Sequence, residues 1–576
     1  MRRLQTDILI LGSGGAGLFA ALHAHQADPQ LSITVAVKGL LGKCGCTRMV
    51  QGGYNVALAP GDSLERHFMD TIEGGKWLPD QELAWTLVSV AVERIRELEN
   101  ELGCFFDRNP DGTIHQKAFA GQTFDRTVHK GDLTGIEIIN RLAEQVWARN
   151  IGRLEEHRAV ELVRTRDGGA ISGVLMIDVR TGEFVFVQAK AVLLATGGGP
   201  TMYKYHTPSG DKTCDGMAMA LRAGLTLRDM EMVQFHPTGL LAGPGTRMTG
   251  TVLEEGLRGS GGYLLNGARE RFMSRYDAKG ERATRDIVSR AIYTEMRDGR
   301  VTPHGGVYIT MAHLGPERVR KEFKGMVDRC ADCGFDLAGG LVEVVPTAHY
   351  MMGGVVFGAG CASALPGLFV AGEDTGGVHG ANRLGGNGVA NSTVFGGIAG
   401  DAMPGWVRRH GQFHEPDAAT IENAVARATA PFGKPCGDLE AIRERLYDVM
   451  WDDVGIIRDA ASLGRAERAL DELEAQLDAT GVDGSSLAFN LTWHDWLNLK
   501  SLIFVSKSIR YAAAAREDSR GAHFRADFPD ARDLAGSRYT CVTWKEGRFG
   551  IETRPVQFTR VKPGETLLKE SAVASA

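Results

Sequence analysis

The sequence lacks the features that mark a membrane-spanning, nucleic-acid-binding or disulfide-stabilised protein. No stretch reaches the roughly 20 consecutive apolar residues of a transmembrane helix, so no direct membrane span is expected. Acidic residues (71) outnumber Lys and Arg (65), the formal net charge is −6 and no basic run occurs, which argues against nucleic acid as a partner. The nine cysteines, an odd number in a large chain without a signal peptide, predict reduced thiols and a cytoplasmic location.

Glycine, in contrast, is in excess. The 74 glycines among 576 residues exceed the average of about 7% and gather in clusters, which indicates backbone that approaches a ligand closely. Hydrophobic residues at 43% and charged residues at 24% are typical of a compact globular chain. Because domains average about 100 to 200 residues, a chain of 576 residues predicts several structural units.

The N-terminal residues predict a βαβ unit that binds a dinucleotide. The apolar runs TDILIL at 6–11 and SITVAVK at 32–38 are typical of strands, and an alanine-rich stretch of helical period lies between them. Gly12, Gly14 and Gly17 give the GxGxxG spacing, in which glycines allow a pyrophosphate to approach a helix N-terminus. Lys38 ends the second strand in place of the Asp or Glu that holds a ribose, which disfavours a plain nicotinamide cofactor.

Hydrophobic periodicity outlines the remaining units. Helical periods occur at 62–72, 80–102 and 134–149, and short strand-like runs at 160–195 predict a small sheet inserted in, or attached to, the first domain. Helical periods return at 460–479 and 493–515, and strand-like alternation follows at 539–544 and 550–559. These patterns predict a helical domain and a small C-terminal region after the glycine-rich part of the chain.

A series of separated motifs carries a resemblance to a known family. The motifs are QGG at 51–53, ATGG at 195–198, DG at 215–216, QFHPTG at 234–239, EG at 255–256 followed by Arg258, GGYLLN at 261–266, RD at 285–286, HYMMGG at 349–354, HGANRLGGNG at 379–388 and SRGAH at 519–523. In this order, and over almost the whole chain, they resemble the flavoprotein subunit of succinate dehydrogenase and fumarate reductase, a family related to L-aspartate oxidase.

The resemblance implies the fold class and its division into domains. We expect an α/β protein with a Rossmann-like FAD-binding domain, an inserted α+β capping domain, a helical domain and a small C-terminal region. The expected boundaries are 1–239 for the first part of the FAD-binding domain, 240–352 for the capping domain, 353–414 for the second part of the FAD-binding domain, 415–520 for the helical domain and 521–576 for the C-terminal region.

FAD is the cofactor that the resemblance implies. Glycines admit its pyrophosphate, and a carboxylate such as that of Glu373 can accept hydrogen bonds from its hydroxyl groups. The residues expected to bind it are Gly12, Gly14, Gly15, Gly17, Lys38, Cys46, Thr47, Gln51, Gly52, Gly53, Asp215, Glu373, Gly388 and Val389.

Cys46 stands where the family carries the histidine that is bonded to the isoalloxazine ring. Non-covalent FAD, as in the related aspartate oxidases, is therefore expected. A thioether through Cys46 is the alternative, because a thiolate is a competent nucleophile. Cys44 with Cys46, and Cys330 with Cys333, supply two thiols each, fewer than the roughly four ligands of a structural zinc site, so no metal site is expected.

The resemblance also implies the chemistry, in which a hydride moves between a substrate carbon and flavin N5 while a proton moves at the neighbouring carbon. Arg285 matches the family's proton donor and acceptor, and Glu255 and Arg258 match the rest of its proton path. The residues expected to bind the substrate are His236, His349 and Arg383, which match the family's carboxylate clamp, together with Phe119, Gln122 and Glu254.

Glu254 is a departure from the family, because it replaces a substrate-binding threonine. A carboxylate that faces a substrate carboxylate is unfavourable unless it is protonated or turned away. Glu254 therefore leaves the substrate open between a C4 dicarboxylate and an acid that carries a hydroxyl or ammonium group. Leu133, in place of a basic residue of the family pattern, adds to this ambiguity.

Three functions remain open on the sequence. The first is a flavoenzyme that interconverts a saturated and an α,β-unsaturated small di- or polycarboxylate. Because the chain has no cysteine pattern for an iron–sulfur cluster, this enzyme would exchange electrons with an iron–sulfur partner. That partner could hold the chain peripherally at a membrane. The second is an amino acid oxidase like L-aspartate oxidase, favoured by Glu254 and by the absent flavin-linking histidine. The third is a non-catalytic electron-transfer flavoprotein, against which the complete set Glu255, Arg258 and Arg285 argues.

Overall fold

The structure of the protein is a computed structural model that describes residues 1–243, 246 and 248–568. The end of the predicted C-terminal region, 569–576, lies outside the described residues. Within the described part of the chain, no helix combines the length and the apolar character needed to cross a bilayer.

The first part of the chain alternates strands and helices. Its strands are β1 (Arg2–Leu11), β2 (Ile33–Ala36), β3 (Tyr54–Asn55), β4 (Gln116–Lys117), β5 (Thr127–Val128), β6 (Gly152–Leu154), β7 (His157–Arg164), β8 (Ile171–Asp178), β9 (Phe184–Leu194) and β10 (Leu227–Arg228). Its helices are α1 (Gly15–Ala27), α2 (Leu64–Gly74), α3 (Gln81–Asn100), α4 (Thr134–Trp147) and α5 (Asp215–Arg222). The βαβ opening and the three helices predicted before residue 150 are confirmed.

The middle of the chain forms a second unit, which we call the capping domain. Its elements are β11 (Val233–Leu240), α6 (Gly256–Gly259), β12 (Tyr263–Leu265), α7 (Arg285–Arg297), β13 (Val307–Thr310), α8 (Pro316–Glu322), α9 (Lys324–Ala331) and β14 (Val342–Met351). The four strands make an antiparallel sheet in the order β11-β14-β13-β12. Strand β11 crosses the predicted boundary at residue 239, so β11 and β14 are the two strands through which the chain enters and leaves this domain.

The last part of the chain returns to the first domain and then becomes helical. Its elements are β15 (Gly354–Val355), β16 (Leu368–Val370), α10 (Asn387–His410), α11 (Ala418–Thr429), α12 (Leu439–Asp452), α13 (Ala460–Ala479), α14 (Leu491–Ala515), β17 (Arg538–Lys545) and β18 (Arg548–Pro555). The helices predicted at 460–479 and 493–515 and the two predicted C-terminal strands are confirmed.

A seven-stranded sheet is the centre of the Rossmann-like domain, which comprises β1–β10, β15, β16, α1–α5 and α10. Its order is β6-β2-β1-β9-β8-β7, and β16 also pairs with β9. The strands at 160–195 therefore belong to the main sheet and do not form the separate small sheet that the sequence predicts. Strand β9 pairs in parallel with β1 on one edge, and it is long enough to pair with both β8 (antiparallel, at 184–188) and β16 (parallel, at 192–194) on the other edge.

Helices α1 and α10 pack closely against each other. A Cβ atom at Gly396 would lie 2.6 Å from the Ala16 carbonyl oxygen, and one at Gly400 would lie 2.5 Å from that of Ala20. Only glycine allows this approach at these positions of α10. The contact fixes the N-terminal ends of both helices beside the ends of β1 and β9.

The C-terminal hairpin is part of the Rossmann-like domain's second sheet and not a free appendage. Strand β17 pairs antiparallel with β10, which gives a four-stranded sheet in the order β15-β10-β17-β18. The buried Asp229, next to β10, accepts a hydrogen bond from the backbone N–H of Thr540 on β17 at 3.3 Å. The end of the chain thus completes a sheet that begins in its first half.

Candidate functional site

A long cleft opens at the carboxyl ends of β1, β9 and β16. It consists of a larger cavity of about 1330 Å³ and a smaller one of about 600 Å³. Gly14, Thr196 and Lys212 line both cavities and mark the junction between them. Ligands of open α/β sheets bind at this edge, because the loops after parallel strands meet there.

Most of the predicted residues lie on the walls of this cleft. On the larger cavity these are Gly14, Gly15, Cys46, Thr47, Gln51, Gly52, Gly53, Phe119, His236, Glu254, Glu255, Arg285, His349, Glu373, Arg383, Gly388 and Val389. On the smaller cavity they are Gly12, Gly14, Lys38 and Asp215. Gly17, Gln122 and Arg258 line neither cavity and lie behind the wall.

The three glycines of the turn after β1 are required for different reasons. Gly12 has a φ of 111°, and a Cβ atom there would lie 2.1 Å from the Ala195 carbonyl oxygen. A Cβ atom at Gly17 would lie 2.0 Å from the carbonyl oxygen of Gly12. At Gly14 the nearest atom would be Oγ1 of Thr47 at 3.6 Å, so this glycine leaves open space at the N-terminus of α1. Such a cradle fits the pyrophosphate of a dinucleotide.

A buried ionic network closes the smaller cavity. Asp215 accepts hydrogen bonds from Lys38 Nζ at 3.0 Å, Arg158 at 2.9 Å and Ser501 Oγ of α14 at 2.9 Å. Burial alone would raise the pKa of Asp215, but Arg158 and Lys38 outweigh burial and hold that pKa below its ordinary value. The predicted residues Lys38 and Asp215 are therefore each other's partners as well as cavity walls.

Lys212 is a cavity residue that the sequence does not identify. Its Nζ donates to the Thr196 carbonyl oxygen at 3.0 Å, and its side chain pairs with Asp211 only at 3.9 Å. A largely buried ammonium group with such weak pairing, at the junction of the two cavities and beside the glycine turn, is suited to an anion. No motif marks Lys212, because its position depends on how the loop before α5 folds over the cleft.

Two carboxylates follow β16 on the opposite wall. Glu373 accepts hydrogen bonds from the backbone N–H groups of Met351 at 2.9 Å and Gly199 at 3.4 Å. Burial raises the pKa of Glu373 to about 7. Burial also raises the pKa of Asp374 to about 6, and its side chain accepts from Thr196 Oγ1 at 3.0 Å. These groups tie the ends of β9, β14 and β16 together at the cleft.

Cys46 lies on the wall of the larger cavity as a protonated thiol. Burial, and then the charge of Glu373, raise the pKa of Cys46 well above its ordinary value. All nine cysteines are free in the structure. A thiol held in this form is a poor nucleophile, because the thiolate is the reactive species.

The far end of the larger cavity carries a buried carboxylate that is paired with two guanidinium groups. Glu255 Oε2 accepts from Arg285 Nη2 at 2.7 Å, and Glu255 Oε1 accepts from Arg258 Nη2 at 2.9 Å. Burial opposes ionisation of Glu255, but Arg285 and Arg258 outweigh it and hold the pKa of Glu255 below its ordinary value. Gln234, which lies within the motif at 234–239 but is not singled out by the sequence, accepts from Arg285 Nη1 at 3.1 Å and orients it.

Arg383 is a buried cation without a carboxylate partner in the described part of the chain. Its guanidinium carbon lies 4.5 Å from the centre of the Tyr350 ring, and its Nη1 donates to the Leu384 carbonyl oxygen at 3.3 Å. Its Nε is buried without an acceptor. Burial, and then the charge of Arg285, lower the pKa of Arg383 to about 10. An orphaned guanidinium that faces a cavity is suited to a carboxylate ligand.

The two predicted histidines lie side by side on the same wall. The ring centres of His236 and His349 are 5.4 Å apart, and His349 Nδ1 is 2.8 Å from Thr207 Oγ1. Burial, and then Arg285, hold the pKa of each histidine well below its ordinary value, so both rings are neutral at pH 7. They can therefore exchange hydrogen bonds with a ligand without adding charge.

Two further predicted substrate residues have protein partners. Gln122 lies outside the cavity, where its Nε2 donates to the Gly385 carbonyl oxygen at 3.0 Å and supports the loop before α10. Glu254 lies on the cavity wall, but its Oε1 is bound by the ammonium group of Lys117 on β4. Lys117 is not identified by the sequence. Among the residues that the structure describes, no cluster of metal-ligating side chains occurs.

Comparisons with known proteins agree along most of the chain. Residues 7–389 match the family described as an FAD binding domain, and residues 443–568 match the family described as fumarate reductase flavoprotein C-term. An uncharacterized FAD-dependent oxidoreductase of Methanocaldococcus jannaschii is 41% identical over 92% of this chain and 95% of its own length. One of the fumarate reductase (CoM/CoB) subunits of Methanothermobacter marburgensis is 40% identical over 92% of this chain and 95% of its own length.

The fold is also similar to solved structures. E. coli quinol fumarate reductase FrdA superposes with a TM-score of 0.92 at 32% identity, over 98% of this chain and 99% of that chain. Mycobacterium smegmatis Sdh1, solved in complex with UQ1, superposes with a TM-score of 0.86 at 35% identity, over 97% of this chain and 95% of that chain. The predicted fold class is confirmed by these superpositions.

Proposed function

The chain belongs to the flavoprotein family of fumarate reductases and succinate dehydrogenases, and from that premise we propose that it interconverts a succinate-like and a fumarate-like dicarboxylate. One observation carries the choice of substrate. Glu255 pairs with Arg285 on the cavity wall and with Arg258 behind it, while Arg383 on the same wall has no carboxylate partner in the described part of the chain. The two neutral histidines add no charge, so this end of the cavity has two positive charges in excess, which a dicarboxylate dianion balances.

Glu254 does not oppose a dicarboxylate in this arrangement. Its charge is balanced by Lys117, so the pair is neutral toward a ligand in the cavity. The same contact weakens the case for an amino acid oxidase, because the side chain expected to bind a substrate ammonium group already has an ammonium partner. A dicarboxylate therefore remains the better substrate class.

FAD fits the cleft as the cofactor. The space left by Gly14 at the α1 N-terminus and the ammonium group of Lys212 suit its pyrophosphate, and Asp215 and Glu373 lie where hydroxyl groups can be bound. When bound, FAD supplies the hydride acceptor and donor at flavin N5. The protonated thiol of Cys46 favours non-covalent attachment.

We assign to Arg285 the transfer of the proton at the substrate carbon. Its Nη2 is bound to Glu255, and Glu255 is bound in turn to Arg258, which forms a path of alternating basic and acidic groups. Arginine holds its proton too tightly for ordinary acid–base work, and the pKa of Glu255 is held below its ordinary value, so Glu255 can act only as a relay that passes a proton between Arg258 and Arg285. Arg285 then gives a proton to the substrate carbon, or takes one from it, and that proton is replaced from solvent, or released to it, through Glu255 and Arg258.

Electrons require a second protein. The described residues hold no metal-ligating cluster, so we assign the electron exchange to an iron–sulfur partner that binds this chain. A quinol-fumarate reductase with menaquinol molecules is among the solved structures with a similar fold, which fits a cytoplasmic chain that its partner holds at a membrane.

The proposal is tested by anaerobic flavin spectroscopy. The purified protein is reduced with dithionite, fumarate is added, and the visible absorbance band of the oxidised flavin is followed. We expect rapid reoxidation, and after acid precipitation we expect the flavin in the supernatant. Bound flavin that fumarate cannot reoxidise contradicts the substrate class. Because an aspartate-oxidase-like enzyme could also use fumarate as its acceptor, hydrogen peroxide release with aspartate supports the oxidase whether or not fumarate reoxidises the flavin.

A further inference from the structure

The ion pair of Lys117 and Glu254 joins two domains beside the larger cavity, whose wall includes Glu254 but not Lys117. Glu254 lies in the capping domain, directly before the proton-path residue Glu255, and is only 6% exposed. Lys117 lies on β4 of the Rossmann-like domain, and its Nζ is bound to Glu254 Oε1. The pair therefore forms between two segments 137 residues apart that meet beside the substrate end of the cleft.

Lys117 is the cation on which the charge of Glu254 depends. Its remaining contacts are weak, with the Gly131 carbonyl oxygen at 3.5 Å and the centre of the Phe119 ring at 5.8 Å. Burial raises the pKa of Glu254, Lys117 opposes that effect, and Asp132 and Glu255 add to it. A buried carboxylate with one cationic partner loses its compensation when that partner is removed.

The charge of the cavity shows what this pairing does. The substrate end has two positive charges in excess while Lys117 and Glu254 neutralise each other. An uncompensated Glu254 would cancel one of the two positive charges. An uncompensated Lys117 would add a third. Each member of the pair therefore cancels the charge of the other, and the excess of two positive charges is kept only while both members are present.

We infer that Lys117 is a specificity-determining residue, which keeps the cavity selective for doubly charged acids by neutralising the carboxylate of Glu254. This inference rests on the proposed function, because it concerns the substrate class of the same site. It predicts opposite effects for the two partners, since removal of Lys117 makes the cavity more negative and removal of Glu254 makes it more positive. Loss of a merely structural contact would weaken binding in both variants alike.

The test compares two acids that differ in charge. Fumarate, a dianion, and crotonate, a monoanion, are titrated into the oxidised holoenzyme at pH 8.5, and Kd is read from the flavin absorbance change. Because the Coulomb energy scales with ligand charge, Lys117→Met should weaken fumarate binding about tenfold and crotonate binding only about threefold. Glu254→Gln should shift the ratio of the two constants in the opposite direction.

The double variant and a control complete the experiment. Lys117→Met combined with Glu254→Gln should return the fumarate-to-crotonate ratio toward the wild-type value. Lys130→Met removes an exposed lysine that pairs with Asp107 and follows β5, the strand that pairs with β4. This variant should leave the ratio unchanged. An unchanged ratio in Lys117→Met, or a shift in the same direction in both single variants, overturns the inference. Wild-type protein that binds neither acid contradicts the proposed function itself.

Discussion

At the scale of single residues, the site combines a charge network with one orphaned cation. Arg285 donates hydrogen bonds to Glu255 and to the Gln234 amide, and it also lines the open cavity. Arg383 also lines the cavity, but its buried Nε has no hydrogen-bond acceptor and no carboxylate of the described residues pairs with it. The first residue is therefore suited to moving a proton along a path, and the second to holding an acid in place.

Replacing Arg285 with Gln should abolish turnover and leave FAD bound, because the proton donor is lost while the cofactor cradle lies on other elements. A loss of at least a thousandfold in the fumarate reoxidation rate is expected, on the order of the contribution of a general acid. Flavin content is checked by absorbance at equal protein concentration. Arg297→Gln, an exposed position on the same helix, is the control and should react at the wild-type rate. Near-normal rates in Arg285→Gln would falsify the proton assignment.

The sequence predicts most of the site residues that belong to motifs, although not Gln234, and misses those whose position depends on the folded loops. Glu255, Arg285 and Arg383 stand in motifs that the resemblance could align. Lys117 and Lys212 stand in none, and their importance appears only when β4 and the loop before α5 are brought to the cleft. The uncertainty about Glu254 also had this origin, because its partner is 137 residues away in the chain.

At the scale of elements, the turn between β1 and α1 separates a structural glycine from a ligand-facing one. Gly12 has a φ of 111° and contacts the backbone of Ala195. Gly14 has an ordinary φ of −76° and faces open space. The same chemical change at these two positions should therefore have different consequences.

Gly12→Ala should destabilise the fold by about 3 kcal/mol or more, because the new methyl group meets backbone atoms and the φ is unfavourable. Gly14→Ala should keep the wild-type melting temperature of the apoprotein and weaken FAD binding at least tenfold, because the methyl group enters the cleft. Thermal unfolding by circular dichroism reports the first effect, and FAD fluorescence quenching reports the second. Equal melting temperatures for the two variants would contradict this division.

Helices and strands with a strong hydrophobic periodicity could be predicted from the sequence, but the pairing of the strands could not. The amphipathic helices and the βαβ opening follow from local periodicity. The length of β9 and its place between β1 and β8 do not, because only part of this strand carries the continuous apolar run seen at 191–196. The partners of a strand are set by contacts between distant segments, which a local pattern does not contain.

At the scale of the whole molecule, burial of carboxylates in the cleft links stability to pH. Burial raises the pKa of Glu373 from its ordinary 4.5 to about 7. The folded apoprotein therefore binds this proton more tightly than the unfolded chain does. The stabilisation is complete below pH 4.5 and is lost as the pH rises to 7.

Glu373→Gln should remove this pH dependence from the apoprotein. The wild-type protein should lose about 3 kcal/mol of stability relative to the variant between pH 4.5 and 7. The measurement is the difference in thermal unfolding midpoint between the two proteins across that pH range. A difference that stays constant from pH 4.5 to 7 contradicts the assignment of this proton to Glu373.

The pairing of β17 with β10 has a consequence for the order in which the protein is made. Asp229 and its partner Thr540 are 311 residues apart, and the ribosome delivers the later strand near the end of synthesis. Until β17 has been synthesised, β10 has an unpaired edge. The Rossmann-like domain is therefore incomplete until that point, even if its first βαβ unit forms early. A chain cut short by a premature stop codon before β17 leaves that edge exposed. Such fragments should be recognised as unfinished by cellular proteases and chaperones.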